Sequence, residues 1–350
     1  MLRESLFSFS LSLLKQATGS SELGQVICSV KDDSMLWVQV RDDIRATDAC
    51  GWDRKKLAKA YTLKAPADSA QRDSQIADHV SQAVVGDVPA DTGVHALLHE
   101  LLDATHIAQI SSATVNGLAC ALAGKEACGR LFTESLWSEQ ADSHIECCLR
   151  LRDILQSWRK EKTQQPQMIV LPHQGMLLTG QSEQDVRDVL QSTLDTLTDA
   201  YIREGVSTRK SSAPQPDTVT TDDLNLQLRQ CFSPDQFRAW CIDGAFTPAV
   251  GPVTDYHTAA HGAYPYQGPL TPDGMEAYLN ERGHLPRILV AGKFIIATGA
   301  EETDAVRAME LARDSALIVQ LTQAFGGPRY QDQADHPAIA EEDLPAPSAG

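Results

Sequence analysis

Pro166-Gln167-Met168-Ile169-Val170-Leu171-Pro172-His173-Gln174-Gly175-Met176-Leu177-Leu178-Thr179-Gly180-Gln181-Ser182-Glu183-Gln184-Asp185 decides how this chain folds. Two apolar runs flank a turn at Gly175, and Ser182 with acids behind it opens a long helical pattern to Glu204. Runs of this length and apolarity read as buried strands, and the serine with following acids reads as a helix start. A second stretch has the same order: Pro286-Arg287-Ile288-Leu289-Val290-Ala291-Gly292-Lys293-Phe294-Ile295-Ile296-Ala297-Thr298-Gly299, then Glu301 to Asp304 before another helix. Strand, turn, strand ending in Thr-Gly, and an acid-capped helix therefore occur twice. The second half is expected to be a partial structural copy of the first.

Working outward, residues 2–16 read as an amphipathic helix. Gln25–Lys31 and Met35–Val40 alternate around Asp32-Asp33-Ser34, a hairpin signature. Short helices are expected over Asp53–Tyr61 and Ser69–Val85. Asp91–Leu102 is expected to be a helix with an acid at its start, Gln109-Ile110-Ser111 a strand, Thr114–Ala123 a helix ending at Gly124, and His144–Lys162 a long helix. Residues 206–222, with two prolines and many hydroxyl side chains, read as a linker. Residues 331–350 hold five acids, three prolines and no Lys or Arg, and read as a disordered acidic tail. The expected organisation is a first domain over 1–205, the linker, a second half over 223–330 and the tail.

The chain has 350 residues and a formal net charge of −17. An acidic surface repels phosphate backbones, so nucleic acid is not an expected partner. No apolar run approaches the ~18–20 residues that span a bilayer, and no membrane partner is expected. Leu6 to Leu14 resembles a short signal core, but three serines dilute it and no small-x-small cleavage pattern follows. The eight cysteines form no Cys-x-x-Cys pair, which suits reduced thiols in a cytoplasmic protein.

The order of hairpin, acid-plus-His helix, strand, Ala-rich helix and strand-Gly-strand-Thr-Gly-helix resembles the class II aldolase/adducin family. Within it, the likeness is to the aldolase portion of bifunctional rhamnulose-phosphate aldolase/dehydrogenase proteins. Those also carry a second strand-Gly-strand unit after a Thr-Pro-Asp segment, here Thr271-Pro272-Asp273. The resemblance covers roughly residues 5–330, with no counterpart expected for the dehydrogenase half. It implies an α/β fold, with a central, mostly antiparallel sheet flanked by helices in three layers, plus a second partial unit.

The resemblance also implies a site. Active family members hold zinc with three histidines, two in a His-x-His strand and one in an Asn-His-Gly motif; a Glu serves as acid/base, and two loops bind a substrate phosphate. Carried over residue by residue, the Glu falls on Asp91, four before His95. The His-x-His pair falls on Gln109 and Ser111. The third ligand falls on Gln174, with His173 one position away. On a strand that shift would turn the imidazole to the other face. The phosphate loop keeps Ser29 and Lys31 but has Ile27 in place of its asparagine, and Asp42 and Asp43 sit where the second loop would meet phosphate. Metal and phosphate groups are thus lost together. No cofactor is expected, because amide and hydroxyl oxygens are poor zinc ligands.

Two functions follow from the resemblance. One is a non-catalytic scaffold, assembly or regulatory protein, as a homo-oligomer or mixed with an active relative. The other is a carbon–carbon lyase or related enzyme on a sugar-derived carbonyl, using Asp91, His95 and His173 without a metal. A small carbonyl ligand is the partner the second would need.

His95, His99, Asp103 and His106 are spaced so that one continuous helix would bring them to one face. That admits a relocated metal site; the plainer reading is a half-buried helix with polar residues meeting loops. His257 and His261 repeat the i, i+4 spacing, and the following Gly262, Pro265 and Gly268 make a loop or surface position the expectation.

Overall fold

The computed structural model describes residues 2–18, 23–42, 49–63, 68–86, 93–141, 143–209, 219–232, 239–243, 246–254, 256–258, 262, 264–292 and 294–331. Contacts divide the chain into two units: Met1–Lys210 with Leu317–Gly327, and Ser211–Ala316 with Pro328–Gly350. Asp91, Asp43 and most of the expected tail lie outside the described residues.

The first unit is α/β, with an eight-stranded sheet in the order β4-β3-β2-β1-β5-β8-β7-β6. Its strands are β1 (Gln25–Lys31), β2 (Met35–Asp42), β3 (Cys50–Asp53), β4 (Val84–Val85), β5 (His106–Ser111), β6 (Ser135–Trp137), β7 (Met168–Leu171) and β8 (Gly175–Gly180). All neighbours run antiparallel except β6 and β7. The hairpin between β1 and β2 is closed by Asp32, whose carboxylate accepts from the Ser34 and Met35 amides at 2.8 and 2.9 Å. An Asx turn of this kind satisfies the backbone where the ladder stops.

Helices cover both faces. On one lie α1 (Leu2–Thr18) and α8 (Glu183–Arg203), against the sheet through β1, β2 and β8. Phe9, Leu13, Leu190 and Leu197 are fully buried there. Ser182 starts α8 with a capping box, its hydroxyl accepting from the Asp185 amide and the Asp185 carboxylate from the Ser182 amide. That satisfies donors every helix start leaves open. On the other face, α2 (Arg54–Lys59), α3 (Ser69–Gln82), α4 (Gly93–Glu100) and α7 (His144–Glu161) supply Leu57, Ile76, Leu97 and Leu151. These pack with Ile27, Val38, Ile107, Ile169 and Leu177 of the strands.

Three local expectations are corrected. Val84 and Val85 leave the helix of residues 69–82 and pair with β3, as β-branched side chains prefer. The Ala-rich helix stops at Ala119: α5 is Ala113–Ala119, and a separate α6 (Gly124–Leu131) follows. Gly124 is required between them, since a Cβ there would lie 2.4 Å from the Leu118 carbonyl. The helix α4 ends at Glu100, and His106 opens β5. The four spaced polar residues therefore share no helix face.

The second unit holds a three-stranded antiparallel sheet in the order β10-β11-β9: β9 (Ala239–Asp243), β10 (Ile288–Ala291) and β11 (Phe294–Gly299). Tyr266 adds a parallel bridge to Leu289 of β10. Helices α9 (Val219–Cys231) and α10 (Pro272–Arg282) go with it, and α11 (Glu302–Thr322) follows β11. The start of α9 falls inside the segment expected to be a linker. Beyond that segment, its Leu224 and Leu228 bury with Phe232, Met275, Leu289 and Ile296.

The two quoted segments close alike. Thr179 donates its amide to the Gln167 carbonyl at 3.0 Å and its hydroxyl to the Pro166 carbonyl at 2.9 Å. Thr298 does the same to Arg287 at 2.9 Å and Pro286 at 3.0 Å. Behind each, Gly180 and Gly299 leave no room for a Cβ against Asp185 and Asp304.

Candidate functional site

The strand-turn-strand of β7 and β8 turns sharply because Pro172 and His173 cannot extend β7. The Gln174 amide returns to the Leu171 carbonyl at 3.0 Å, and His173 takes a left-handed φ of 64°. Gly175 follows at φ 91°, and a Cβ on it would lie 1.9 Å from the Ile110 carbonyl oxygen. This close approach presses the turn onto the end of β5. His173 and Gln174 therefore belong to a turn, not a strand, and the opposite-face alternation expected for them does not apply.

Gln109 and Ser111 lie two apart on β5 and share a face. Gln109 is 5% exposed and donates its side-chain amide to the Gln174 main-chain carbonyl at 3.2 Å. Ser111, 7% exposed, accepts from the side-chain amide of Asn116 at 3.0 Å. Asn116 sits on α5 and is fully buried. The fold thus brings Gln109, Ser111 and Gln174 together, with Asn116 as a fourth member that the sequence reading did not include. Its signal was a polar residue inside an otherwise apolar helix, Val115-Asn116-Gly117-Leu118.

Two polar atoms in this group, Gln109 Oε1 and Asn116 Oδ1, are buried with no protein partner. Gln109 must turn its NH2 toward the Gln174 carbonyl, so the free atom is its oxygen. The donors on offer are neutral oxygens. They do not fit zinc, which takes imidazole, thiolate or carboxylate. Among the described residues, no three His, Cys, Asp or Glu side chains are grouped to hold a metal ion.

His173 is buried, and its main chain hydrogen-bonds the Cys120 thiol; burial pushes that thiol up to about 12. The His95 ring meets the His144 ring edge-on with centroids 6.4 Å apart. The structure describes no position for Asp91, so the third member of the expected acid/base set is not placed.

Ser29 and Lys31, the expected remnant of a phosphate loop, both turn to α4. The Ser29 hydroxyl lies 2.8 Å from His99 Nδ1. The Lys31 ammonium donates to the carbonyls of His99 at 3.1 Å, Glu100 at 3.4 Å, and Leu102. A lysine at a helix C-terminus satisfies carbonyls that lack intrahelical donors and complements the helix dipole. Burial lowers Lys31 to about 8. His99 is wholly buried, and burial, with the His95 and Lys31 charges nearby, holds its pKa well below the usual histidine value. His106 stands apart, its ring edge-on to Phe9 and its Nδ1 3.3 Å from the Gln181 carbonyl.

At the opposite ends of β7 and β8, a groove of about 600 Å³ is lined by Phe132, Met168, Asp185, Asp188, Val189 and Thr193, among others. In the second unit, Thr254, His257 and Asp314 form a buried chain. Thr254 Oγ1 lies 2.7 Å from His257 Nδ1, and His257 Nε2 lies 3.0 Å from Asp314 Oδ2. His257 is 2% exposed, which overturns its expected loop or surface position: Asp314 gives the imidazole a buried partner. His261 lies outside the described residues.

Among the described residues, no helix is long and apolar enough to cross a membrane. No protein-family model matches the chain. No curated protein matches it either. Solved structures do. The N-terminal class II aldolase domain of a conserved protein from Thermoplasma acidophilum matches 57% of this chain and 92% of its own, at 10% identity and TM-score 0.41. An L-fuculose-1-phosphate aldolase from Thermus thermophilus matches 58% of this chain and 93% of its own, at 12% identity and TM-score 0.33. An aldolase II superfamily protein from Pseudomonas syringae matches 63% and 80%, at 11% identity and TM-score 0.35.

Proposed function

We propose that this chain is a class II aldolase/adducin-type protein that no longer performs metal-dependent aldol cleavage and works as a scaffold, assembly or regulatory subunit. The observation that carries this reading is the hydrogen bond from Gln109 to the Gln174 carbonyl. At the positions where the family places zinc ligands, two neutral side chains are tied into the protein's own network: Gln109 to the turn and Ser111 to Asn116. A metal there would have to break those bonds and accept oxygen donors in place of imidazole.

The phosphate side supports the same reading. Lys31 is committed to three carbonyls of the α4 end, and Ser29 to His99. Neither is presented to a substrate phosphate. The matching closures at Thr179 and Thr298 favour the second unit as a partial copy of the first, the organisation that the rhamnulose-phosphate aldolase resemblance implies. A subunit of this kind would act through assembly, as a homo-oligomer or with an active relative.

The test is a carbon–carbon cleavage assay on a panel of ketose 1-phosphates, with zinc added and omitted. The reading expects no cleavage above the protein-free control under either condition. Zinc-dependent turnover by the unmodified chain would overturn it.

A further inference from the structure

One wall of the groove at the far ends of β7 and β8 is α8, through Asp185, Asp188, Val189, Ser192 and Thr193. Their spacing is that of a single helix face. Strand register brings a third acid to the same end. Ser135 pairs with Met168 on the parallel β6–β7 ladder, so Glu134, which also lines the groove, leads into β6 as Gln167 leads into β7. The Gln167 carbonyl accepts the Thr179 amide at 3.0 Å, and the next residue, Gly180, abuts α8: a Cβ on it would lie 2.7 Å from the Asp185 Cβ. Glu134, Asp185 and Asp188 thus share one groove with the apolar surface of Phe132, Met168 and Val189. Among the described residues that line it, none is Lys or Arg.

Helix-start chemistry accounts for only one of these acids, Asp185, which caps α8. Asp188 lies beyond the first turn and Glu134 is off the helix, so neither answers the α8 dipole. Other acids of this unit have cationic partners: Glu100 has Arg54, Glu146 has Arg150 and Glu183 has Arg187. Among the described residues, Glu134 and Asp188 have none. Asp188 accepts from the Gln184 side-chain amide at 2.8 Å through one oxygen, which leaves the other for a ligand.

We propose that this groove binds a linear aliphatic polyamine. Its volume of about 600 Å³ falls in the range of small-molecule sites. A cleft lined by one sign of charge concentrates ligands of the other, and the net charge of −17 adds to that field. A bare metal ion would leave the apolar surface wet. Methylene segments cover such surface while their ammonium groups stay at carboxylates, as lysine stems do on protein surfaces. The proposal is independent of the zinc-site reading, because the groove lies at the other ends of β7 and β8 from the Gln174 turn.

Isothermal titration of the full chain with spermidine tests it, and one saturable site per chain is the expected result. The double variant Glu134→Gln, Asp188→Asn should weaken Kd by about tenfold or more. Both positions are exposed, and an amide at 188 still accepts from Gln184, so the fold is preserved. The double variant Asp195→Asn, Asp199→Asn removes the same charge from exposed positions of α8 outside the groove lining, and should leave Kd within about twofold. Ser192→Arg, which puts a cation of the chain's own into the groove, should abolish binding. Absence of saturable binding overturns the proposal. So does equal weakening in the two double variants, which would assign the attraction to the acidic chain as a whole, and so does unchanged binding by Ser192→Arg.

Discussion

Gln109 donates its side-chain amide to the main-chain carbonyl of Gln174 across 3.2 Å, joining the end of β5 to the turn between β7 and β8. The contact exists because Gly175 lets the turn lie against Ile110. Sequence positions sixty-five residues apart thereby become one site.

Gly175→Ala should be severely destabilising. A Cβ would overlap the Ile110 carbonyl at 1.9 Å, on a residue whose φ is already 91°. Two penalties act together, steric overlap with rigid backbone and a left-handed conformation, for about 3 kcal/mol or more. Urea unfolding checks this; a loss below about 1 kcal/mol would show that the turn yields easily.

Breaking the buried Thr254–His257–Asp314 chain should weaken the second unit. Asp314→Ala removes the carboxylate 3.0 Å from His257 Nε2, at positions 1% and 2% exposed. Removing the acceptor of a buried hydrogen bond typically costs about 1–3 kcal/mol. Thermal unfolding with a probe in that unit should register the loss, and an unchanged midpoint would contradict it.

Stability should fall on both sides of neutral pH. Burial raises the thiols of Cys28, Cys120, Cys128, Cys147 and Cys148 in the folded state. Above about pH 9 the unfolded chain loses those protons while the folded chain keeps them. Each thiol then removes up to about 1.4 kcal/mol of stability per pH unit until its folded pKa is reached. Lys31 opposes this: lowered to about 8 from 10.5, it makes the unfolded chain the more protonated state over that interval and adds stability as pH rises. The thiols, joined at higher pH by the buried Tyr61 and Tyr201, outnumber Lys31, so denaturation midpoints should fall above pH 9, and more steeply in Lys31→Met.

On the acid side the group is His99, whose pKa is well below the usual 6.5 because it is buried. As pH drops below that value the unfolded chain takes a proton that folded His99 refuses, so stability falls. His99→Phe should flatten the dependence between pH 6.5 and 5 by close to one proton. An unaltered slope would mean that His99 does not contribute to it.

Much of the fold was legible where local chemistry and packing agree. Asp32-Asp33-Ser34 between alternating runs specified the hairpin, and Ser182 with Asp185 specified the start of α8. Elsewhere tertiary packing decided. Nothing in Val115-Asn116-Gly117-Leu118 marks the break after Ala119, which depends on Gly124 meeting the Leu118 carbonyl. Strand β6 is three half-buried residues, too short for any period. At the site, Gln109, Ser111 and Gln174 came from the family resemblance; the structure joins Gln109 to the Gln174 main chain and Ser111 to Asn116. The roles of Lys31 and His99 were not legible, since spacing cannot tell a lysine facing an anion from one satisfying a helix end.

Under the proposed function, the neutral side chains of Gln109, Ser111 and Gln174 stand in place of a zinc site. Elemental analysis of natively purified chain, beside the triple variant Gln109→His, Ser111→His, Gln174→His, tests it most directly. The account predicts negligible zinc in the unmodified chain and about one zinc per chain in the variant. One zinc per unmodified chain, or no gain in a folded variant, would contradict it.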